Sequence, residues 1–131
     1  MKKVVFVCVH NSGRSQMAEA FAKKLGEGKI IAESAGTEPG DTLNPQAVEA
    51  MKEIGYDMSS HYPKMMTEEM AKYDKIITMG CGVDADSCPA TFMPTEDWGL
   101  EDPKGKPIEK VREIRDEIER RVKLLIEELT N

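Results

Sequence analysis

The amino-acid sequence predicts an α/β fold in which helices flank a mostly parallel β-sheet. Short apolar segments alternate along the chain with segments of helical periodicity, which is the pattern of strand–helix–strand units. Residues 4–7 are apolar without interruption, as is typical of a strand covered on both faces. A length of 131 residues suits a single domain, which we expect to span residues 1–131.

The first predicted elements are two strands with a helix between them. Residues 4–7, Val-Val-Phe-Val, predict the first strand, and residues 30–35 predict the second. The helical pattern that separates them begins at Ser15 and is expected to end at Gly26. Turn-forming residues at 38–41 predict a loop after the second strand.

A second helix and two further strands follow. Asn44 is predicted to cap that helix, with Pro45 at its first position and Gly55 at its end. Residues 75–79 predict a third strand of the buried type, and residues 90–93 predict a short fourth strand.

The remaining segments are two loops and a long C-terminal helix. Residues 80–89 are rich in Gly, Asp and Ser and predict a loop or an irregular helix, while residues 96–106 predict an acidic loop. The last helix is the clearest element because its apolar residues recur at steps of three and four. These residues are Val111, Ile114, Ile118, Val122, Leu125 and Leu129.

Charge and composition exclude several classes of partner. A net charge of −6 argues against non-specific binding to nucleic acid or to an anionic membrane. No stretch approaches the roughly 18 apolar residues of a membrane helix, and no signal peptide is recognisable. We therefore expect a cytoplasmic location. We also expect the protein to be a monomer. Its three cysteines are few, and their number is odd, so they do not suit a secreted disulfide framework. This count favours cysteines that are catalytic or bind a metal.

The most informative segment lies between the first strand and the first helix. Ligands of open parallel sheets bind at the carboxyl ends of the strands, and a loop that turns there into a helix directs several N–H groups at one point. Such a loop suits a tetrahedral oxyanion. The residues predicted to bind it are Val9, His10, Asn11, Ser12, Gly13, Arg14 and Ser15.

Three side chains of this segment are predicted to be catalytic. The positive field of the loop would lower the pKa of the Cys8 thiol from about 8.5 towards 4 to 7, which makes it a nucleophilic thiolate. Arg14 can grip two oxyanion oxygens with its planar guanidinium, and Ser15 can hydrogen-bond the Cys8 sulfur. Asn11 and Gly13 suit a loop that needs unusual backbone angles, since both residue types tolerate positive φ. His10 is given no chemical role.

Each of these residues also has a purely structural explanation. A cysteine at a strand end is often a small buried hydrophobe, a loop arginine is usually solvated, and a serine before a helix is usually only a cap. Their combination at one strand-to-helix junction favours a functional site.

The motif and its flanks resemble a known superfamily. Cys8, the five residues after it, Arg14 and Ser15, followed by Gln-Met-Ala-Glu at 16–19, resemble the low-molecular-weight tyrosine phosphatases. Within that superfamily, residues 11–19 are similar to the thioredoxin-coupled arsenate reductases, and the likeness extends to most of the chain. The resemblance implies a four-stranded parallel sheet flanked by helices, with arsenate as substrate and phosphate and sulfate as competing oxyanions.

A proton donor is needed for the departing oxygen, and residues 96–103 supply several carboxylates. Neighbouring carboxylates raise one another's pKa, which helps one of them to stay protonated. The loop alone leaves the choice open, and an ordinary solvated loop is an alternative. The resemblance selects Asp102, which matches the Asp-Pro motif of the family. Lys104 and Gly105 follow where the phosphatases usually carry tyrosines, and this favours a small inorganic substrate.

Cys81 and Cys88 lie seven residues apart. On a helix this spacing would separate them by about 10 Å along the axis, whereas a disulfide needs Cα atoms within roughly 7 Å. A disulfide between them would therefore require the segment to loop or unwind. Two unrelated cysteines, or half of a zinc site, are the alternatives, but the spacing does not suit zinc and we predict no metal.

The resemblance implies a thiol relay in which Cys8 attacks arsenic, Cys81 attacks Cys8, and Cys88 attacks Cys81. It implies no bound cofactor, because a dithiol reductant such as thioredoxin supplies the electrons without glutathione. Two other functions stay open: a low-molecular-weight tyrosine phosphatase that uses Cys8, Arg14 and Asp102, and a non-catalytic oxyanion-binding redox sensor.

Overall fold

The structure is a computed structural model, and it describes residues 1–80 and 96–130. Its strands are β1 (Lys2–Cys8), β2 (Ile30–Gly36), β3 (Lys75–Thr78) and β4 (Glu96–Asp97). Its helices are α1 (Arg14–Leu25), α2 (Pro45–Lys52) and α3 (Ile108–Thr130), with a short 3₁₀ helix at Met70–Lys72. The four strands form one sheet in the order β2-β1-β3-β4, and every neighbouring pair is parallel. The predicted α/β fold with a four-stranded parallel sheet is confirmed.

β1 lies in the interior of the sheet, which explains its uninterrupted apolar run. Residues 4–7 have no exposed surface, because both faces of the strand are covered. β1 and β2 are in register up to the pair Cys8 and Gly36, and β1 and β3 up to Val7 and Thr78. The carboxyl ends of these three strands therefore meet at one edge of the sheet.

Two apolar cores cover the two faces of the sheet. Successive residues of a strand point to opposite faces, so Phe6 belongs to one core and Val5 and Val7 to the other. The larger core packs helices onto the sheet through Met17, Phe21, Met51, Ile118 and Val122. The smaller core contains Met66, Met70 and Ile76.

The long C-terminal helix is confirmed, and its apolar stripe faces the core as predicted. Ile114, Ile118 and Val122 are buried, whereas Leu129 is partly buried at the margin. Among the helices in residues 1–80 and 96–130, none is both long and apolar enough to cross a membrane.

Two predicted boundaries were wrong. β4 occupies Glu96–Asp97, inside the segment predicted as a loop. Its two exposed residues pair with β3, and so short a strand carries no alternating pattern that could be read from the sequence. The predicted fourth strand at residues 90–93 lies outside the described residues. α2 ends at Lys52 rather than at Gly55, which instead adopts a φ of 85° in the turn that follows.

Candidate active site

The loop between β1 and α1 has its carbonyl groups fixed by the surrounding protein. The carbonyl oxygens of Cys8, Val9 and His10 accept hydrogen bonds from the backbone of Thr37, Glu38 and Gly40 at 3.2, 2.8 and 3.0 Å. The next carbonyls are fixed in the same way: that of Asn11 accepts from Gln16 Nε2 at 3.0 Å, and that of Ser12 from Asn44 N at 2.7 Å. All five carbonyls therefore point away from the centre of the loop.

The backbone N–H groups of residues 9–13 consequently face inward. In a trans peptide the C=O of one residue and the N–H of the next point in opposite directions. In the part of the chain that the structure describes, none of these five N–H groups donates to another protein group. Together with the N-terminus of α1 they form a site for an anion.

This loop forms one wall of a cavity of about 980 Å³. Cys8 ends β1, is 6% exposed and lines the cavity. Six of the seven predicted oxyanion-binding residues also line it: Val9, His10, Asn11, Ser12, Gly13 and Arg14. The seventh, Ser15, is fully buried, and its Oγ accepts a hydrogen bond from Asn11 Nδ2 at 2.8 Å.

The backbone of the loop only partly follows the prediction. Asn11 has the expected positive φ, at 52°. Gly13 has the unusual combination of a φ of −131° and a ψ of −94°, outside the helical and extended regions, although its φ is not positive. His10 is exposed, and its Nδ1 lies 3.0 Å from the carbonyl oxygen of Glu38. The ring therefore lies at the exposed edge of the cavity.

Arg14 is held in place by carbonyl groups from two other elements. Its side chain is buried, and its Nη1 donates to Leu100 O at 2.7 Å and to Met79 O at 3.2 Å. The second guanidinium nitrogen, Nη2, lies 3.8 Å from Asp102 Oδ2. The guanidinium is thus oriented before any ligand binds, with the cavity beside it. Sequence reasoning missed Met79 and Leu100, because backbone carbonyls carry no residue-specific signal.

Among the carboxylates of the acidic loop, Asp102 is the one held beside Arg14. Its side chain is 63% exposed, and its Oδ1 accepts from the backbone N–H of Lys104 at 2.9 Å. The neighbouring Glu101 instead pairs with Lys106 at 3.5 Å and Lys110 at 3.4 Å. The structure therefore brings Cys8, Arg14 and Asp102 to one cavity.

The two other cysteines, Cys81 and Cys88, lie outside the described residues. Gly80, which precedes Cys81 in the chain, lines the cavity with a φ of 84°. A Cβ atom there would lie 2.5 Å from Leu100 N. The Gly80 N–H also donates to Asp97 Oδ1 at 2.7 Å. The chain therefore leaves β3 towards Cys81 from a constrained position at the edge of the cavity.

A polar layer that was not predicted from the sequence lies behind the loop. Asn11 Oδ1 accepts from the backbone N–H of Lys64 and from Gln16 Nε2, both at 2.9 Å. His61 Nδ1 lies 3.0 Å from Gln16 Oε1, and burial lowers the pKa of His61. Lys64 and Asn11 are 53 residues apart, so no local motif could have found this contact. Within residues 1–80 and 96–130, no group of three or more His, Cys, Asp or Glu could hold a metal ion.

Comparison with known proteins places this geometry in a family. The model of the family described as low molecular weight phosphotyrosine protein phosphatase matches residues 3–131. The chain belongs to this family. Within it, the chain is 43% identical to the glutaredoxin arsenate reductase of Synechocystis sp. over 132 residues, which are 99% of this chain and 100% of the relative.

Solved structures agree with this membership of the low molecular weight phosphatase family. One described as an arsenate reductase in the phosphate binding state has a TM-score of 0.86 and 42% identity, and covers 98% of this chain and 99% of that one. The thioredoxin-dependent arsenate reductase of Corynebacterium glutamicum has a TM-score of 0.79 and 34% identity, with 98% of this chain and 62% of that one covered.

Proposed function

We propose that this chain reduces arsenate to arsenite, with Cys8 as the nucleophile. The observation that carries the proposal is the ring of five inward N–H groups around Cys8, completed by Arg14 and Asp102. Such a ring matches the charge and shape of a tetrahedral oxyanion. The cavity wall next to Asp102 includes the exposed Lys104 and Gly105, which supply no aromatic surface for a phosphotyrosine ring. The names of the relatives support the same substrate.

In the first step the Cys8 thiolate attacks arsenic(V). A sulfur–arsenic bond forms and an arsenic–oxygen bond breaks, and the departing hydroxyl leaves as water after it takes a proton from Asp102. Arg14 and the inward N–H groups neutralise the oxygens that remain on arsenic. Asp102, which lies beside Arg14, is placed to donate this proton. Phosphate, which has the same shape as arsenate, would compete for the site.

The next steps transfer two electrons to arsenic. Cys81 attacks the Cys8 sulfur, the sulfur–arsenic bond breaks, and its electron pair stays on arsenic, which departs as arsenite. A Cys8–Cys81 disulfide results. Cys88 then attacks the Cys81 sulfur, which releases the Cys8 thiolate and leaves a Cys81–Cys88 disulfide. The support for these roles is the family resemblance of the sequence, in which both cysteines follow Gly80. Gly80 itself lines the cavity.

A dithiol reductant must then reduce the Cys81–Cys88 disulfide. We assign this role first to thioredoxin, in line with the Corynebacterium relative. The Synechocystis relative is named for glutaredoxin instead, so the two reductants belong in the same experiment. The cytoplasm is the compartment in which such reduced thiols persist.

The test is arsenate-dependent oxidation of NADPH, with thioredoxin and its reductase in one series and glutaredoxin, glutathione and its reductase in the other. p-Nitrophenyl phosphate hydrolysis is measured beside it, because hydrolysis needs Cys8 but no relay. Cys8→Ser is expected to abolish both activities. Cys81→Ser and Cys88→Ser are expected to abolish multiple-turnover reduction and to leave hydrolysis intact. Equal loss of hydrolysis in these two variants would refute the relay.

Phosphatase activity is the second candidate function, because phosphate has the geometry of arsenate and a relative binds it. It would be the main function if the wild-type chain hydrolysed phosphate esters but failed to reduce arsenate with either reductant.

A further inference from the structure

A buried carboxylate lies beneath the loop that surrounds Cys8. Glu19, on α1, is 3% exposed and receives a hydrogen bond from the hydroxyl of Ser34 on β2. Two lysines pair with it: Lys23 Nζ lies 2.7 Å from Oε2, and Lys64 Nζ lies 3.1 Å from Oε1. Burial alone would raise the pKa of Glu19, but these hydrogen bonds and charges outweigh it and hold the pKa below its ordinary value. Glu19 therefore carries a negative charge at neutral pH.

The two lysines differ in what else they touch. Lys23 sits one helical turn beyond Glu19, and its side chain is 51% exposed. The side chain of Lys64 is 18% exposed, and its ammonium also donates to Ser34 Oγ at 3.3 Å. This ammonium thus ties residue 64 to both α1 and β2. A surface lysine would not be fixed in this way, because its flexible stem costs rotamer entropy to order.

The backbone of Lys64 is joined to the active-site loop. Its N–H donates to Asn11 Oδ1 at 2.9 Å, and its carbonyl oxygen accepts from Gly36 N at 2.7 Å. Asn11 holds the one positive φ found among the non-glycine residues that the structure describes. Its side-chain nitrogen donates to Ser15 Oγ at 2.8 Å. A chain of contacts therefore runs from the buried ion pair to the loop around Cys8.

We infer that Lys64 is a positioning residue for the chemistry at Cys8: the ion pair with Glu19 fixes the Lys64 backbone, which orients Asn11 and thereby the inward N–H groups. The inference rests on the proposed oxyanion chemistry at Cys8, although not on arsenate as the substrate. Without the ammonium, residue 64 loses its side-chain contacts with Glu19 on α1 and Ser34 on β2, and only its backbone hydrogen bonds to Asn11 and Gly36 remain. Asn11 then has a less ordered partner, and the strained backbone at Asn11 is no longer held in one arrangement. The N–H groups of the loop would stabilise the thiolate and the oxyanion less.

The test compares Lys64→Met with Lys23→Met. Each variant removes one of the two ammonium groups that pair with Glu19, but within the described residues Lys23 has no hydrogen bond to the loop around Cys8. Both are made in the full-length chain, and again with Cys81→Ser and Cys88→Ser so that Cys8 alone is alkylated. For Lys64→Met we expect the pKa of Cys8, measured from the pH dependence of iodoacetamide inactivation, to rise by about 0.5–1 unit. Inhibition by inorganic phosphate should weaken, and kcat/KM for p-nitrophenyl phosphate should fall about 5–10-fold. Lys23→Met should leave all three within about twofold.

Thermal unfolding of both variants separates positioning from simple destabilisation. The inference is overturned if Lys64→Met leaves the Cys8 pKa and phosphate inhibition unchanged while lowering only the melting temperature. It is also overturned if Lys23→Met shifts the Cys8 pKa by the same amount. Failure of the proposed function looks different: the wild-type chain would bind phosphate and show an acidic Cys8, yet would not reduce arsenate. The comparison of the two lysines would then still hold.

Discussion

Replacement of Arg14 by lysine tests how much of the chemistry depends on a preoriented guanidinium. Arg14 uses Nη1 to reach Leu100 O at 2.7 Å and Met79 O at 3.2 Å, which leaves its other nitrogens for the oxyanion. A lysine keeps the charge but has one compact ammonium, so it cannot serve both carbonyls and grip two oxyanion oxygens. Loss of one charge-assisted hydrogen bond costs about 1.5–3 kcal/mol. At about 1.4 kcal/mol per tenfold change, kcat/KM should fall about 10–150-fold.

The assay is steady-state hydrolysis of p-nitrophenyl phosphate, with single-turnover reduction of arsenate as a second readout. Arg115→Lys is the matched control. Arg115 is also buried and donates to a backbone carbonyl, Ala50 O, at 2.9 Å, but it joins α2 to α3 and does not line the cavity. It is expected to lower stability and to leave kcat/KM within about threefold. The reasoning about Arg14 is refuted if Arg14→Lys keeps wild-type kcat/KM, or if Arg115→Lys loses as much.

Three further predictions concern the acid, the cavity edge and the buried carboxylate. Asp102→Asn removes the proposed proton donor and should lower kcat for p-nitrophenyl phosphate by about 100-fold or more, whereas an unchanged kcat would assign the proton to another group. Gly80→Ala places a Cβ atom 2.5 Å from Leu100 N at a φ of 84°. It should lower the free energy of unfolding, measured in urea, by about 1–3 kcal/mol. An unchanged unfolding midpoint would contradict the close approach of residue 80 to Leu100. Because the folded-state pKa of Glu19 is lowered from 4.5, its stabilising effect is complete above pH 4.5 and is lost as the pH falls through the lowered value. Glu19→Gln should therefore flatten the dependence of the melting temperature on pH below 4.5, and an unaltered slope would argue against this contribution.

Much of the fold could be predicted because the relevant signals are local. The apolar run at residues 4–7 identified an interior strand, and the spacing of Ile114, Ile118 and Val122 identified the buried face of α3. β4 could not be predicted in the same way. Its two exposed residues become a strand only by pairing with Ile77 and Thr78, so the cause of its structure lies elsewhere in the chain.

The candidate active-site loop could also be predicted only in part. Cys8, Arg14 and Ser15 could be singled out because they share one short segment, and the positive φ of Asn11 follows from its residue type. The conformation of Gly13 could not, since glycine permits nearly every backbone angle and its neighbours select one.

By itself, the sequence determined the parallel α/β fold, the position of Cys8, the proposed nucleophile, at the end of a strand, and the presence of two further cysteines. Tertiary structure alone decided which carbonyls orient the Arg14 guanidinium, and that the Lys64 backbone donates a hydrogen bond to Asn11 from 53 residues away. The physical reason is the separation along the chain of the residues that interact. Strand and helix patterns arise from neighbouring residues, whereas these contacts join backbone and side-chain atoms that only the folded sheet brings together.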